Sequence, residues 1–337
     1  MKDRYLALNL RLFDTPINAT TSNSSGNNLS AEMKTYYDNY LIDNAEPELV
    51  HDQFGQKRPI PKNGGKKIEF RKYNPLPKAL TPLTEGVTPD GRPLDATTIT
   101  AEVAQYGDWI MLSDMLLLTA IDNNMVQAVE LLGSQAGRTL DTVTREVLNG
   151  GTSVQYAEGQ VTARNLLTKD HKLTVKAIKM AARFLKTQNA KTIDGSFVGI
   201  IHPDCEYDLT SDPEWKDMNK YTTPELAWNG EIGKIAGVRF VETTEAKIWE
   251  KAGKTPSSGD APDVYSTLIL GSNAYGVTEV SGGGLETIIK QLGSGGTSDP
   301  LNQRASAGWK ATKVAERLVE QFMCRVETTS SFNSGAN

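Results

Sequence analysis

The sequence predicts an α+β protein in which one long helix joins segments rich in β-structure. Three observations lead to this fold class. An apolar repeat with helical spacing runs through residues 122–150, and a long extended stretch of alternating and Pro-rich sequence precedes it. Short apolar runs with the length of buried strands follow from residue 197 onward. At 337 residues the chain is long enough for two domains.

The long helix is indicated by apolar or small residues that recur at steps of three and four. They are Met125, Val129, Leu132, Ala136, Leu140, Val143 and Val147. Asp122 occupies the position of an N-cap, and Asn149-Gly150-Gly151 provides a stop signal, so the helix would be about 40 Å long. Gly133 and Gly137 each cost about 1 kcal/mol relative to Ala. Two interpretations stay open: a core helix that tolerates glycine, or a spine that carries β-rich segments at both ends.

The N-terminal region combines a polar stretch with an amphipathic one. Residues 14–30 are rich in Ser, Thr and Asn, so alone they should be mobile, or else they form an arm that lies on a neighbouring subunit. Ser30 is a candidate cap for a helix over 31–44. Its apolar stripe consists of Met33, Tyr36, Tyr37, Tyr40 and Leu41. Packing in a core or between subunits explains this stripe better than a ligand site.

An extended two-stranded arm is predicted between the N-terminal region and the long helix. Residues 66–73 alternate apolar and polar residues, and extended sequence returns at 97–109 after a segment rich in Pro, Thr and Gly. A lone two-stranded ribbon is marginally stable in water, and its open edges favour pairing with other chains. We therefore expect another copy of the same chain to cover the arm.

The two limbs of this arm carry opposite charge. Residues 57–78 contain eight basic residues and one acid, whereas residues 79–108 contain five acids and one base. The candidate contact residues are Lys62, Lys66, Lys67, Arg71, Lys72, Lys78, Glu85 and Asp90. One interpretation is a solvated ribbon whose limbs balance each other. The other is charge complementarity between neighbouring copies, which would set register and partner choice.

After the long helix, the sequence predicts a helix over 175–188 with Thr174 as its N-cap, and a further helix that begins at Pro203. Strands are predicted at 197–202, 237–242 and 265–270. The first of these helices and its lead-in carry a basic stripe at steps of four and three. Its members are Lys172, Lys176, Lys179, Arg183 and Lys186. Such a stripe is either a solvated face or a contact for phosphate or an acidic neighbour.

Composition and motifs argue against most kinds of chemistry. With 38% hydrophobic residues, 23% charged residues and a net charge of −5, the chain has the composition of a soluble protein and not of a general nucleic-acid binder. No apolar run is long enough to span a membrane, and no export signal is evident. Cys205 and Cys324 form no CxxC pair, so neither a zinc site nor a disulfide framework is expected.

His202, which precedes Asp204 and Cys205, is a candidate for a metal or nucleophile site. Adjacent ligands in one turn rarely converge on a single ion, and no second cluster completes the site. The sequence therefore predicts a structural histidine at a strand end, with no catalytic residue, cofactor or metal.

Several separate segments resemble the HK97-type major capsid proteins of tailed bacteriophages. The segments read LSAEMKTYYDNYLIDNAEPELVHDQFGQKRPIPKNGGKKIEFRKY (29–73), LTPLTEGVTPDG (80–91), YGDWIMLSDMLLLTAID (106–122), LLGSQAGRTLDTVTREVLNGGTSVQYA (131–157) and GWKATKVAERLVEQFMCRVE (308–327). The order of the predicted elements is also similar to that of this family. The resemblance extends over nearly the whole chain.

The resemblance implies a division of the chain into the parts of that fold. They would be an N-terminal arm with the first helix (1–50), an extended hairpin called the E-loop (51–110), a P-domain (111–195) with the spine helix (122–150), an A-domain (196–302), and a C-terminal return to the P-domain with a tail (303–337).

The resemblance also implies a mechanical function without enzymatic activity. Copies would form pentamers and hexamers that close into an icosahedral shell around double-stranded phage DNA, bound without sequence specificity. The protein would be found in the virion capsid, after a period in the host cytoplasm. Its other partners would be a portal protein and a separate scaffolding or decoration protein, with no membrane. The basic stripe is expected on the inner face, while the acidic balance of the chain fits weak retention of DNA.

Three alternatives remain at this stage. An encapsulin-like compartment would share the fold and enclose a cargo protein, which would co-purify with it. An enzyme with a metal site around His202 and Asp204 would lose its activity on chelation. A tail or baseplate component would form rings or tubes in place of closed shells.

Overall fold

The computed structural model describes most of the chain after residue 49. The described ranges are 50–59, 66–73, 76–83, 85–86, 88, 90–120, 124–219, 234–256, 259–278, 285–295 and 299–336. Three predicted features lie outside these ranges: the N-terminal arm (14–30), the helix over 31–44 and the cap Asp122.

The described residues form an α+β fold. The helices are α1 (Asp114–Thr119), α2 (Asn124–Asn149), α3 (Val175–Thr187), α4 (Pro203–Ser211) and α5 (Pro213–Asn219), with short 3-10 helices at Arg164–Leu166 and Glu320–Phe322. The strands are β1 (Gln56–Arg58), β2 (Lys67–Tyr73), β3 (Ala96–Glu102), β4 (Ala104–Ser113), β5 (Val154–Tyr156), β6 (Phe197–Ile201), β7 (Lys234–Ile235), β8 (Val238–Glu242), β9 (Ile248–Trp249), β10 (Val264–Leu270), β11 (Tyr275–Thr278), β12 (Leu285–Lys290), β13 (Arg304–Lys313), β14 (Ala315–Arg317) and β15 (Met323–Thr329).

The chain divides into two compact units. One contains residues 106–136 and 285–311, and the other contains 47–105, 137–284 and 312–337. In the first unit β12, β13 and β4 form a three-stranded sheet, in which β12 and β13 run antiparallel. A side chain at Gly107 would place its Cβ 2.7 Å from the carbonyl oxygen of Trp309, so this close strand approach requires glycine.

The second unit is built on a seven-stranded sheet. Its order is β5-β15-β10-β6-β8-β7, and β9 pairs with β10. The central strands β6, β10 and β15 are buried along their whole length, because both faces of the sheet are covered. Alternate residues therefore join different clusters: Ile269 packs with Leu185 of α3, whereas Leu268 packs with Leu148 of α2. This burial explains why the predicted strands are continuous apolar runs.

The C-terminal segment 303–337 supplies strands to two sheets. It contributes β13 to the three-stranded sheet and β15 to the seven-stranded sheet, where β15 pairs with β10 and β5. The predicted extended stretch 97–109 is also divided. At Val103 it separates into β3 and β4, which belong to different sheets.

The predicted long helix is found as α2, with 26 residues. Its buried face differs from the predicted one in the C-terminal half, where Val143 and Val147 are only half-buried. Polar residues take the buried positions there, and they are Asp141, Thr144, Arg145 and Asn149. Neither α2 nor any other helix in the described ranges combines the length and the apolar character needed to cross a membrane.

Candidate assembly interface

The predicted extended arm is a two-stranded antiparallel ribbon of β2 and β3. The register runs from Lys67 opposite Glu102 to Tyr73 opposite Ala96. In the part of the chain that the structure describes, neither strand pairs with a third one. The outer edge of each strand therefore presents backbone donors and acceptors that another chain can use.

One apolar face of the ribbon packs against other segments of the second unit. Ile68, Phe70 and Ala101 are buried in a cluster with Leu318 and Val319. The ring of Phe70 lies against Gly276 of β11, where an added Cβ would come within 2.4 Å of the ring. Glycine at this position thus allows the ring of Phe70 to pack closely against β11.

The segment beyond the ribbon, residues 76–94, exposes four leucines. Leu76, Leu80, Leu83 and Leu94 are 59, 82, 77 and 71% exposed. Single exposed leucines are ordinary, but four of them within one segment make this segment a candidate for contact with another molecule. The composition of this segment indicates only a stretch rich in Pro, Thr and Gly, although its leucines recur between the prolines.

The charged residues of the arm are available to a partner. Lys66, Lys67, Arg71, Lys78, Glu85 and Asp90 are exposed, Lys72 is half-buried, and Lys62 lies outside the described residues. None of the seven described residues forms an ion pair with another described residue, although Lys67 stands opposite Glu102 in the register. Exposed charges of this kind fit a solvated ribbon as well as complementarity between copies, so both interpretations stay predictions.

The basic stripe on α3 and its lead-in is largely neutralised within the chain. Lys176 is 2.8 Å from Glu158, Lys179 pairs with Glu214, and the Lys172 ammonium is 3.6 Å from Asp208. The hydrogen bond from Lys176, followed by one from Thr174, holds the pKa of Glu158 below its ordinary value, so this partner stays ionised.

Two members of the stripe differ from the others. Arg183 and Lys186 form no ion pair within the described ranges. They line a shallow depression of about 610 Å³, together with Lys179, Ala182, Thr187 and Ala236. If the stripe contacts an anionic partner, these two side chains are the ones that can do so without breaking an existing pair.

The comparison with protein families identifies the chain. Residues 99–291 match the family described as "Phage capsid protein", which is more than half of the sequence. The chain belongs to this family. It is a phage capsid protein, and its copies associate into the shell of the virion. A search of curated protein sequences gives no significant match.

Solved capsid structures have the same fold as this capsid protein. The capsid of Ralstonia phage GP4 aligns with a TM-score of 0.60 at 13% identity, over 85% of this chain and 87% of that one. The capsid of cyanophage P-SCSP1u aligns with a TM-score of 0.61 at 13% identity, over 95% and 100%. The cyanophage Pam1 capsid gives 0.61 at 14% identity, over 80% and 86%. The predicted HK97-like fold is confirmed, and the encapsulin-like alternative is not favoured.

The residues weighed as a metal or nucleophile site have structural partners in the capsid protein. His202 caps α4, and its Nδ1 accepts a hydrogen bond of 3.2 Å from the Asp204 amide. Burial lowers the pKa of His202, which favours the neutral ring. The Asp204 carboxylate accepts a hydrogen bond of 2.7 Å from Tyr265. Burial raises the pKa of the Cys205 thiol far above its ordinary range, so Cys205 is a poor nucleophile.

A pair of carboxyl groups lies at the carboxyl ends of the parallel strands β6 and β8. Glu242 ends β8 opposite Ile201, and Glu206 lies in the first turn of α4, which follows β6. Burial, followed by the charge of Glu242 and a hydrogen bond to it, raises the pKa of Glu206 to about 7. The folded protein therefore holds a proton here at a pH where an exposed glutamate has lost it.

Glu206→Gln should raise the stability of the capsid protein at pH 8 and change it little at pH 5. Because the folded pKa lies above the ordinary value of 4.5, the native state binds more protons than the unfolded state between the two values. Wild-type stability consequently falls as pH rises through this window, and the variant removes the fall. Urea midpoints at both pH values measure the effect, with exposed Glu250→Gln as the control. An equal shift of the urea midpoint at pH 5 and pH 8 would contradict the raised pKa of Glu206.

Proposed function

We propose that copies of this capsid protein form pentamers and hexamers, and that these close into an icosahedral shell around double-stranded DNA. In this proposal the E-loop of one copy, with its ribbon β2–β3 and segment 76–94, lies on a neighbouring copy. The observation that carries it is that, among the described residues, one element combines strand edges that pair with no third strand, four exposed leucines and charges that form no ion pair. The boundaries of arm, E-loop, P-domain, A-domain and C-terminal return given above belong to the same proposal.

The leucines can supply a large part of the contact energy. Full burial of a leucine is worth about 1.5–3 kcal/mol, so four of them give on the order of 6–12 kcal/mol for each E-loop before the costs of association. The charged residues of the two limbs would set the register of the contact and the choice of partner. They are Lys66, Lys67, Arg71, Lys72 and Lys78 on one limb, and Glu85 and Asp90 on the other.

The double variant Leu80→Ser/Leu83→Ser should remain folded and fail to form shells. Both side chains are exposed in the single chain, so their loss should change the urea midpoint little, while the contact with a neighbour loses apolar area. Size-exclusion chromatography and negative-stain electron microscopy measure assembly. The matched control is Leu80→Met/Leu83→Met, which keeps the apolar surface and should assemble. Shells at wild-type yield from the serine variant would refute the proposed contact.

We further propose that the basic stripe faces the packaged DNA, with Arg183 and Lys186 as its contacts. The support is that both side chains border an open depression and are unpaired within the described ranges. Lys172, Lys176 and Lys179 would then act mainly as partners of Asp208, Glu158 and Glu214.

Arg183→Gln/Lys186→Gln should leave shell assembly intact and reduce the DNA that particles retain after a salt wash. Each phosphate contact contributes about one unit to the slope of log affinity against log salt concentration, so loss of two contacts lowers this slope by about two. The DNA content of purified particles at increasing salt gives the comparison. Lys176→Gln is the control, since its ammonium pairs with Glu158. Unchanged DNA retention in the double variant would exclude the contact.

The remaining parts of the proposal concern partners and place. We infer that the protein has no enzymatic activity, in keeping with the structural hydrogen bonds that engage His202 and Asp204. A portal protein and a separate scaffolding or decoration protein would complete the particle. The chain would reside in the host cytoplasm before assembly.

A further inference from the structure

The polar segment Ser330–Gly335 is tied to α4 and β10 by hydrogen bonds to their side chains. This segment reads SSFNSG and contains a single large apolar residue, Phe332. Its partners are three aspartates and a tyrosine, namely Asp204, Asp208, Asp263 and Tyr265.

The first attachment is made on Asp208, a buried residue of α4. Ser330 Oγ and the Ser331 amide each donate to Oδ2 at 2.8 Å, and Ser331 Oγ donates to Oδ1 at 2.5 Å. The ammonium of Lys172 lies 3.6 Å from Oδ1, and within the described ranges it is the one cation paired with this carboxylate. The chain end therefore provides most of the hydrogen bonds that satisfy a buried negative charge.

The second attachment is made around Tyr265 and Asp204. The Tyr265 hydroxyl and Ser334 Oγ both donate to Asp204 Oδ2, at 2.7 and 2.5 Å, and the Ser334 amide donates to the Tyr265 oxygen at 3.1 Å. Beyond it, the Gly335 amide donates to Asp263 Oδ2 at 3.0 Å. The ring of Phe332 packs edge-on against Tyr207 of α4, with 5.3 Å between ring centroids.

We propose that Ser330–Gly335 is a clasp, a segment that docks on α4 and releases from it as a unit, and that its release loosens α4 from the seven-stranded sheet. The clasp is held mainly by hydrogen bonds and not by burial in the core, since residues 331–334 are exposed and only Ser330 is buried. Such an attachment can open while the sheet remains folded. Once it opens, Asp208 loses the three hydrogen bonds from Ser330 and Ser331 and keeps the Lys172 ammonium at 3.6 Å, so α4 must move to let water reach the carboxylate.

Cys205 provides a reporter of this movement. It lies in α4 between Asp204 and Asp208, is fully buried, and has its sulfur 3.9 Å from the Thr328 hydroxyl. Cys324 lies in β15, within the sheet, and is also buried. Opening of the clasp alone exposes Cys205, whereas global unfolding exposes both thiols.

The experiment compares the labelling of the two thiols by N-ethylmaleimide, followed by mass spectrometry of peptides, in the soluble full-length chain and in a chain that ends at Thr329. We expect Cys205 to be labelled at least ten times faster in the shortened chain, while Cys324 keeps its full-length rate. The matched control ends at Gly335 and retains every clasp hydrogen bond, so it should label like the full chain. Equal rates for Cys205 in all three chains, or a parallel rise for both thiols, would overturn the proposal.

Two further variants test whether the hydrogen bonds to the carboxylates cause the change in Cys205 labelling. Ser331→Ala/Ser334→Ala in the full-length chain removes two donors without shortening it and should accelerate Cys205 labelling several-fold. In the chain that ends at Thr329, Asp208→Asn removes the charge of the carboxylate that has lost its hydrogen bonds to the clasp. This variant should slow Cys205 labelling again. Failure of either change would show that the carboxylate contacts do not hold α4. Because the test uses unassembled protein, its outcome is independent of the proposed E-loop contact.

Discussion

Asp52→Ala should lower the free energy of unfolding of the capsid protein by about 3–5 kcal/mol, because it leaves the buried ammonium of Lys313 without its counter-charge. Lys313 pairs with Asp52 Oδ2, and its side chain is fully buried. Thr144 of α2 donates a hydrogen bond of 2.6 Å to the other oxygen of the same carboxylate. One aspartate thus joins the segment before β1, the long helix α2 and the end of β13.

The neighbouring residue strengthens this junction. His51 is buried, its amide donates to Asp141 Oδ1 at 2.8 Å, and its Nδ1 lies 2.6 Å from Asp141 Oδ2. The hydroxyl of Tyr275 donates to the His51 carbonyl at 2.5 Å. Since these bonds fix the segment before β1 on α2, and that segment leads into the proposed E-loop, we expect Asp52→Ala to reduce shell yield as well as stability.

Urea unfolding of the unassembled chain measures the Asp52→Ala effect. Glu286→Ala is the control, because Glu286 and Lys310 form an exposed pair at 3.8 Å that should contribute less than about 1 kcal/mol. The double variant Asp52→Asn/Lys313→Met removes both charges and should recover most of the loss. If Asp52→Ala cost no more than Glu286→Ala, the buried pair would not be the source of stability at this junction.

These buried polar residues also show the limit of predicting the buried face of α2 from the sequence. The apolar repeat located α2, the continuous apolar runs located β6 and β10, and alternation located the ribbon. The same repeat placed Val143 and Val147 on the buried face, whereas the structure buries Asp141 and Thr144. Hydrophobic periodicity assumes that polar residues face water, so it fails where distant segments such as Val50–Gln53 and β13 supply the partners.

Prediction of the candidate interface had a similar limit. The charges of the arm were visible in the sequence because opposite signs are separated along the chain. Exposure of Leu80 and Leu83 was not predictable, since a leucine in a Pro-rich segment can equally belong to a core. The pairs formed by Lys176 and Lys179 likewise required the three-dimensional positions of Glu158 and Glu214. The sign of a charge can be read from the local sequence, whereas its ion-pair partner depends on contacts between distant segments.

Glu327→Ala should destabilise the protein by about 3–5 kcal/mol for a related reason. Glu327 is fully buried in β15 and binds two arginines: Arg164 at 2.7 and 2.8 Å, and Arg325 at 2.8 Å. The guanidinium of Arg164 also lies 3.6 Å above the ring centre of Trp249. Removal of the carboxylate leaves Arg325 charged and buried, with the Asn149 carbonyl as one remaining acceptor.

Comparison with Arg164→Ala separates the buried charge from general packing. Arg164 is partly exposed, and its removal leaves Glu327 paired with Arg325, so this variant should cost only about 1.5–3 kcal/mol. Urea unfolding of both variants, with Glu250→Ala as an exposed control, gives the order. Both variants disturb the stacking of Arg164 on Trp249, but only Glu327→Ala leaves a buried charge unpaired. If Arg164→Ala cost as much as Glu327→Ala, this stacking would contribute more to stability than the carboxylate does.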